Sequence, residues 1–237
     1  MAFAVLTRDP ADAATYASAL APLEVVAMPV TRTVELSGAL ADADPAVDVV
    51  MVMSPRAAHM VVKGSVKAPA VWAVGPATKR ALEIAKVAAH VPADVVDGVG
   101  LARALVQSGV AGKRVLVPRA EEGRTEPLDI LRAAGAEVID VIAYRTVPVA
   151  AEDPAVQRGR ERLLGGEAAV CCVFAPSQVA ALAQIVRLPE VRTRMCAIGE
   201  TTAAAVRAAG VLEVAVAATP TPEGIAQAVR SVYPIGR

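Results

Sequence analysis

Short apolar runs alternate with amphipathic, Ala-rich stretches along the whole chain of 237 residues. The amphipathic stretches carry the helical period, and the alternation predicts right-handed βαβ units with parallel sheets, an α/β fold. The apolar runs predict strands at 3–7, 24–30, 48–54, 70–75, 114–118, 137–144, 168–175, 194–199 and 211–217. Helices are expected at 9–22, 54–62, 78–86, 100–109, 127–135 and 201–210.

Two dipeptides mark the starts of helices. Asp9-Pro10 and Ser54-Pro55 each place a residue with a good capping side chain directly before a proline. Proline is favoured at the first helical position, because it has no N–H group that would need a partner there. We therefore expect Asp9 and Ser54 to be N-caps.

The chain contains the same turn twice. AVGPATKRAL at 73–82 and AIGETTAAAV at 197–206 both begin with apolar residues, turn at a Gly, place a Thr three residues later and continue as Ala-rich helix. Other stretches repeat in the same order, since SPRAA at 54–58 parallels APSQV at 175–179. The pattern indicates two copies of one α/β plan and not a solenoid, because its period is far longer than one supersecondary unit.

The repeated turns fall where α/β proteins bind ligands. Ligands lie beyond the carboxyl ends of parallel strands, where the free N–H groups of helix N-termini favour anions. Gly75 and Gly199 would allow a ligand to approach the backbone closely, and Thr78, Thr201 or Thr202 would cap a helix or bind a ligand oxygen. Two turns in register predict a shared anionic ligand, while capping alone stays an alternative for each turn.

Composition limits the classes of function. Lys+Arg and Asp+Glu are each 24, so the net charge is zero and we expect no general binding to nucleic acid or to a membrane surface. No stretch is apolar and long enough to span a bilayer, and the N-terminus lacks the apolar segment of a signal peptide. We therefore expect a cytoplasmic protein. Aromatic residues are only 3% and no apolar stripe is evident, which favours a monomer.

Reactive side chains are few. Cys171, Cys172 and Cys196 lie in apolar runs and are interpreted as small buried residues. His59 and His90 belong to no cluster with metal-ligand spacing, so we expect no metal site. The P-loop, the dinucleotide fingerprint and the motifs of hydrolytic nucleophiles are absent. An enzyme of this sequence would use positioning, backbone donors and one weak acid, without a cofactor.

Taken together and in order, these motifs resemble the uroporphyrinogen-III synthase family along essentially the whole chain. The matching segments are LTR at 6–8, MPV at 28–30, SPRAA at 54–58, VGPAT at 74–78, VLVPRAEEGRTEPLDILRAAGAEV at 115–138, AYRTVP at 143–148, FAPSQV at 174–179, IGETTAAAV at 198–206 and TPEGIAQAV at 221–229.

The resemblance implies two similar parallel-sheet, flavodoxin-like domains joined by two chain crossings, with the active-site cleft between them. The first domain would be discontinuous, from residues 1–32 and 149–237, and the second would be the insert at 33–148. Periodicity alone would have suggested two consecutive halves, so this division follows from the resemblance.

The implied activity is that of a cyclising lyase of haem biosynthesis. Such an enzyme converts the linear tetrapyrrole hydroxymethylbilane to uroporphyrinogen III, with loss of water and inversion of ring D. No cofactor or metal is implied, and the substrate is a small polycarboxylate. The enzyme must chiefly hold a folded conformer that spontaneous closure does not favour.

The resemblance also implies functional residues. Tyr144 in AYRTVP would donate a proton or a hydrogen bond to the departing hydroxyl group. A Tyr packed at the chain crossing with its OH satisfied is the alternative. The implied substrate-binding residues are Arg8, Ser54, Gly75, Thr78, Arg119, Pro176, Ser177, Gly199, Thr201 and Thr202.

Two positions depart from the family pattern. Ala175 stands where a Ser is usual before the Pro, which removes a hydroxyl donor, and Glu200 places a negative charge beside a supposed carboxylate site. These departures keep open a non-catalytic regulatory protein on the same scaffold that binds a tetrapyrrole or another small anion. A two-lobed periplasmic solute binder is a third alternative, against which the missing signal peptide counts.

Overall fold

The computed structural model describes residues 2–36, 38, 40 and 46–233. Residue 1 and residues 234–237, which the sequence assigns to the first domain, lie outside the described residues. The same holds for residues 37, 39 and 41–45, which the sequence assigns to the second domain.

The strands of the described residues form two five-stranded sheets, of order β10-β9-β8-β1-β2 and β3-β7-β6-β4-β5. The pairings β1–β2, β1–β8, β8–β9, β9–β10, β4–β5, β4–β6 and β6–β7 are all parallel. The predicted α/β class is therefore confirmed. The strands are β1 Phe3–Leu6, β2 Glu24–Ala27, β3 Thr31–Glu35, β4 Val49–Val52, β5 Ala70–Ala73, β6 Arg114–Ala120, β7 Glu137–Pro148, β8 Ala168–Val173, β9 Arg194–Ala197 and β10 Val214–Val216.

Helices connect the parallel strands. In the part of the chain that the structure describes they are α1 Pro10–Ala14, α2 Ala17–Leu20, α3 Pro55–Lys63, α4 Gly75–Ile84, α5 Gly98–Gln107, α6 Glu126–Ala133, α7 Pro154–Leu164, α8 Pro176–Ile185, α9 Glu200–Ala208 and α10 Pro222–Val232, with a 3-10 turn at Leu188–Glu190.

The chain divides into two compact units. The first unit comprises Met1–Arg32 and Val147–Arg237, and the second comprises Thr33–Thr146. The boundaries fall inside β3 and inside β7. Where the first sheet has β9, β8, β1 and β2 in spatial order, the second has β5, β4, β6 and β7. The two units thus repeat one strand order, as the repeated sequence motifs indicate.

Each sheet is buried on both faces, which explains why its strands read as continuous apolar runs. Successive side chains of a strand point to opposite faces. In the first unit, Val5 and Cys171 accordingly belong to one core, while Leu6 and Cys172 belong to the other. In the second unit the side chains of β4 and β6 alternate in the same way between two cores.

The cysteines are core residues, as the sequence predicts. Cys171, Cys172 and Cys196 are free thiols and fully buried. Burial raises the pKa of the Cys171 thiol to about 12. A hydrogen bond to Cys196, together with burial, raises the pKa of Cys172 well above its usual value. The thiols of Cys171 and Cys172 therefore stay protonated, and all three cysteines pack as small apolar side chains.

The predicted N-caps are confirmed. Asp9 and Ser54 have extended backbones, and their side chains accept hydrogen bonds from the N–H groups of Asp12 and Ala57 at 3.0 and 3.1 Å. In both helices the proline follows as the first helical residue.

Helices α7, α8 and α10 were not among the expected helices, and two further elements differ from the prediction. The single helix expected at 9–22 is two short helices, because the chain turns after α1. There the Thr15 hydroxyl donates to the carbonyl of Asp12 at 2.7 Å, which offers the backbone an alternative to further helix. The segment 31–35 is strand β3, which the sequence analysis did not predict. Its pattern is largely polar, and β3 is an edge strand of its sheet.

Gly159 allows a close contact between α7 and the segment after β2. The residue is buried in the middle of the helix. A Cβ built on Gly159 would lie 2.5 Å from both Cβ and Cγ of Met28, which is itself fully buried. Since Met28 Cβ is fixed to the backbone, the clash could be relieved only by moving one of the two segments.

We expect Gly159→Ala to destabilise the protein, because overpacking costs about 1–3 kcal/mol. Ala gains about 1 kcal/mol over Gly inside a helix, but contacts of 2.5 Å to Met28 place the overpacking cost in the upper part of that range, so we expect a net loss of about 1–2 kcal/mol. Thermal unfolding followed by circular dichroism measures the effect. Arg158→Ala, at an exposed position of the same helix, is the matched control and should leave the midpoint nearly unchanged. A Gly159→Ala protein as stable as the wild type would contradict the packing argument.

Candidate functional site

A cavity of about 430 Å³ lies at the carboxyl ends of β4 and β6 in the second unit, beside Tyr144 of β7. The first residues of α5 and α6, together with the N-cap of α3, complete its wall. This is the edge at which α/β sheets bind ligands. We call it the edge cavity; its lining residues are Met53, Ser54, Asp97, Gly98, Val99, Pro118, Arg119, Ala120, Gly123, Arg124, Pro127 and Tyr144.

The structure joins two residues that the sequence predicted separately. The Tyr144 hydroxyl lies 3.1 Å from Ser54 Oγ, and either oxygen can be the donor. Ser54 Oγ also accepts the N–H of Ala57 at 3.1 Å. Tyr144 is 7% exposed, and its side chain packs in a core of the second unit. It lines both the edge cavity and a neighbouring cavity of about 320 Å³, so its phenol is the polar group that the two cavities share.

Arg119 lies in the edge cavity, but its donors face acceptors of the protein. Nε and Nη2 bind the two carboxylate oxygens of Asp140 at 2.7 and 2.9 Å. Nη1 donates to the carbonyls of Ala120 and Glu121 at 3.0 and 3.2 Å. The hydrogen bonds to Asp140 raise the pKa of the guanidinium, against the effect of burial. Whether Arg119 binds a substrate carboxylate stays a prediction.

Sequence reasoning missed Asp140, although a signal was present. Arg119 ends a buried strand, and a buried guanidinium requires an acceptor of opposite charge. Asp140 is the acidic residue within the next apolar run, EVIDVIAY, which the sequence already assigned to a strand. The neighbouring parallel strand was therefore the place to look for the partner.

Arg124 supplies the unpaired positive charge of the edge cavity. It is exposed and lines the cavity, and it makes no ion pair or hydrogen bond with the residues that the structure describes. Arg119 and Arg124 thus differ in kind: the first is neutralised in place, and the second is available to an anion.

Arg8 lies two residues after the end of β1 in the first unit, where its guanidinium packs on two aromatic rings. Its guanidinium carbon lies 4.5 Å from the ring centroid of Phe174 and 5.6 Å from that of Tyr16. Nη1 donates to Asp12 at 2.8 Å. Within the described residues Nε is buried and has no hydrogen-bond partner. The predicted contact of Arg8 with a substrate carboxylate stays a prediction, and Nε is the donor that could make it.

The turn at Ala175 keeps the backbone of the Ser54 turn without its hydroxyl. The φ and ψ angles are −159° and 152° at Ala175, and −158° and 158° at Ser54. Helix α8 accordingly has no side-chain cap. The predicted binding residues Pro176 and Ser177 are its first two residues, and they are exposed and half-buried respectively.

Gln178 stabilises this turn in place of a capping residue. Its Oε1 accepts the N–H of Phe174 at 2.9 Å and the hydroxyl of Thr7 at 2.7 Å. Thr7 is buried and also lies within 3.1 Å of the carbonyl of Cys172. The sequence analysis assigned no role to Thr7 or Gln178. A Gln three residues after an N-cap position was the available signal.

The two repeated turns share a sequence pattern but not a backbone conformation. Gly75 has φ +68°, which favours glycine, whereas Gly199 has an extended backbone that any residue adopts. Thr78 and Thr202 are buried and Thr201 is exposed.

Neither repeated turn has a capping side chain. Helices α4 and α9 begin without a side-chain cap hydrogen bond, so the threonines do not act as caps. Gly75 and Thr78 do not line the edge cavity. Their binding roles, and those of Gly199, Thr201 and Thr202, stay predictions.

Glu200 does not leave an uncompensated negative charge at the second turn. It is the first residue of α9, and it accepts a hydrogen bond from Arg207 in the last turn of the same helix. An acidic residue in the first helical turn is also stabilised by the helix dipole. The departure at Glu200 therefore weighs less against anion binding than the sequence suggested.

The histidines lie away from the edge cavity. His59 lies 3.8 Å from Glu35 on the surface, and the His90 ring packs against Trp72 at a centroid distance of 4.2 Å, with the two ring planes inclined by 60°. No group of three His, Cys, Asp or Glu within 2–36, 38, 40 and 46–233 could hold a metal ion. In the same part of the chain, no helix combines the length and the apolar character of a membrane span.

Known proteins share both the sequence pattern and the fold of this chain. A sequence model of the family described as uroporphyrinogen-III synthase HemD matches residues 13–227. Uroporphyrinogen-III synthetase from Helicobacter pylori 26695 is a similar solved structure, with a TM-score of 0.70, 15% identity and coverage of 98% of this chain and 99% of that one. A mutant uroporphyrinogen III synthase from Thermus thermophilus has a TM-score of 0.59, 19% identity and complete coverage of both chains. No curated protein sequence matches the chain.

We expect Asp140→Asn to lower the free energy of unfolding by about 1.5–3 kcal/mol, the worth of hydrogen bonds to a charged group. The substitution would leave the buried Arg119 guanidinium without its opposite charge. Asp129→Asn is the matched control, because Asp129 pairs with Arg132 on the surface of α6 and exposed pairs contribute little. Urea unfolding of both variants measures the difference; equal midpoints would contradict the role given to Asp140.

We expect Ala175→Ser to stabilise the protein by about 0.5–1 kcal/mol, the lower part of the range for a serine N-cap. The backbone already has the capping conformation, and the new Oγ would accept the N–H of Gln178. That N–H now donates to the Ala175 carbonyl at 3.0 Å, which limits the gain. Ala180→Ser, exposed within the same helix, is the control and should be neutral or slightly destabilising in thermal unfolding. An Ala175→Ser protein no more stable than this control would exclude a cap at that position.

Proposed function

The chain belongs to the uroporphyrinogen-III synthase family, and from this premise we propose that it cyclises hydroxymethylbilane to uroporphyrinogen III. The observation that carries the proposal is the placement of the Tyr144 phenol, hydrogen-bonded to Ser54, in a cavity at the carboxyl ends of parallel strands. The chain is a cyclising lyase of haem biosynthesis.

In the proposed mechanism Tyr144 acts as a general acid. The phenol proton passes to the hydroxymethyl oxygen of the substrate, the C–O bond breaks, and water leaves. The azafulvene cation that remains is attacked by the substituted carbon of ring D, which gives a spiro intermediate. Fragmentation and reclosure invert ring D, and the proton lost from the closing pyrrole carbon restores the phenol. The atoms balance as substrate minus one water, with no cofactor.

Substrate carboxylates are the second part of the proposal. Arg124 is placed to bind one carboxylate at the edge cavity, since it is exposed there and has no partner among the described residues. The N-termini of α5 and α6 at the same cavity add N–H groups and favourable dipoles. In the first unit, the buried Nε of Arg8 and the uncapped N-termini of α8 and α9 offer equivalent donors. Arg119, itself held by Asp140, would position the end of β6 and the loop after it through the carbonyls of Ala120 and Glu121.

We further propose that the two units are flavodoxin-like domains, joined by the chain crossings at β3 and β7, that hold the tetrapyrrole in a cleft between them. In support, the first unit numbered by itself has the strand order 2-1-3-4-5. The enzyme would act as a cytoplasmic monomer on a small molecule, without nucleic acid or membrane. The net charge of zero supports the absence of general binding to nucleic acid or to a membrane surface. A non-catalytic anion-binding protein on the same scaffold is not favoured, because Tyr144 and its hydrogen-bond partner are both retained.

Isomer analysis tests the activity. Freshly generated hydroxymethylbilane is supplied, the products are oxidised, and the porphyrin isomers are separated by chromatography. We expect isomer III at a rate far above spontaneous closure. Isomer I alone, formed at the spontaneous rate, would refute the proposed function.

Tyr144→Phe tests the acid. We expect kcat for isomer III to fall about 10²- to 10⁴-fold, the usual contribution of a general acid, with a smaller change in KM. Tyr233→Phe is the matched control, since Tyr233 is partly buried at the end of α10 and has no assigned role. It should retain full activity. An unchanged kcat in Tyr144→Phe would show that the phenol proton is dispensable.

A further inference from the structure

We infer that Ser54 is a positioning residue for Tyr144, which directs the phenol proton toward the substrate and stabilises the phenolate oxygen as that proton leaves. This inference rests on the proposed function. It assigns Ser54 a role through Tyr144, in place of the direct substrate contact that the sequence resemblance implies.

The hydrogen-bond inventory of Ser54 Oγ limits its possible roles. A serine hydroxyl has one proton and two lone pairs. One lone pair is occupied by the N–H of Ala57 at 3.1 Å, and the Tyr144 hydroxyl lies at the same distance from Oγ. The contact then has two arrangements. If Tyr144 donates, its proton points at Ser54 and away from the substrate; if Ser54 donates, the phenol proton is free for the cavity.

Two effects favour Ser54 as the donor. A hydroxyl that already accepts a hydrogen bond is polarised, and its own O–H becomes a stronger donor. Ser54 also stands at the N-terminus of α3, a helix of nine residues, where the dipole stabilises negative charge. Both effects grow as Tyr144 gives up its proton, because a hydrogen bond to an ionised oxygen is roughly twice as strong as one to a neutral oxygen.

The repeat in the first unit provides an internal comparison. Ala175 occupies the position equivalent to Ser54 with nearly the same φ and ψ, and α8 begins there without a hydroxyl. The turn and the following helix therefore form without the serine. The hydroxyl is present in the copy of the turn where it meets a tyrosine hydroxyl at a cavity.

The burial of Tyr144 makes this partner matter. The residue is 7% exposed, so most of its side chain is packed in the protein and solvent meets it where it lines the two cavities. Among the described residues, the hydrogen-bond partner of its hydroxyl is Ser54. The contact with Ser54 therefore sets the direction in which the O–H bond of Tyr144 points.

Four variants test the inference: Ser54→Gly, Ser54→Thr, Tyr144→Phe and the double variant Ser54→Gly/Tyr144→Phe. Ser54→Gly removes the hydroxyl while retaining a residue that is accepted at N-cap positions, so the helix start is largely preserved. We expect its kcat to fall about 10- to 100-fold, the range for a hydrogen bond to a charged group, with KM changed less than about threefold. Ser54→Thr keeps the hydroxyl and should restore kcat to within a few-fold of the wild type.

The double variant separates positioning from a purely structural role. If Ser54 acts through Tyr144, Ser54→Gly should lower kcat no further when Tyr144 is already Phe. A general loss of folding or of substrate contacts would lower activity in both backgrounds. Thr221→Gly is the capping control, because Thr221 caps α10 with its hydroxyl and lies in the first unit. It should lower the unfolding midpoint slightly and leave kcat unchanged.

Each result has one interpretation. A wild-type protein that yields only isomer I refutes the proposed function itself. If the wild type is active, the positioning role is overturned by three results: a Ser54→Gly variant with unchanged kcat, one in which only KM rises, or effects of Ser54→Gly and Tyr144→Phe that multiply in the double variant.

Discussion

A parallel sheet that is buried on both faces can place polar chemistry only at the ends of its strands. The inner strands of both sheets are buried in this way, and in the described part of the chain helices begin beyond the carboxyl ends of β1, β4, β5, β6, β8, β9 and β10. Helix N-termini, capping residues and the last residues of strands therefore meet at one edge in each unit. The edge cavity, the Ser54–Tyr144 contact and the Arg119–Asp140 pair all follow from this arrangement.

Small side chains in the cores let the helices pack closely on the sheets. With few aromatics, the cores consist of Ala, Val and Leu, which tolerate close approach of helix to sheet. Gly159 against Met28 is the extreme case. Polar groups that enter such cores must be satisfied within them. Thr7 with Gln178 meets this demand in the first unit, and Arg119 with Asp140 meets it in the second.

The apolar runs of the sequence predicted the strands well because burial on both faces leaves a continuous signal. They failed for β3, whose largely polar pattern at a sheet edge resembles a loop. Capping chemistry is local, so Asp9 and Ser54 were predictable, whereas the partnership of Ser54 with Tyr144 depends on a fold that brings positions 90 residues apart together. The two glycine turns look alike in sequence, yet Gly75 and Gly199 differ in φ, since tertiary packing and not the local motif decides that angle.

Arg119 illustrates a related difficulty at the candidate site. An arginine at the end of a strand is a reasonable ligand for a carboxylate, and the residues beside it in the sequence do not show whether a partner in the protein already binds it. The distinction comes from the neighbouring strand, which presents Asp140 to Arg119 and not to Arg124. Charges can be counted from a sequence, but their neutralisation depends on strand order and register.

Trp72, which packs against His90, can serve as a fluorescent probe of unfolding. Trp72 is the single tryptophan of the chain, and it lies on β5 in the second unit. Fluorescence excited selectively at the indole therefore reports one unit alone, while far-ultraviolet circular dichroism averages over both. Coincident transitions in the two signals would mean that the units unfold as one cooperative block, and separated transitions would resolve a half-folded intermediate.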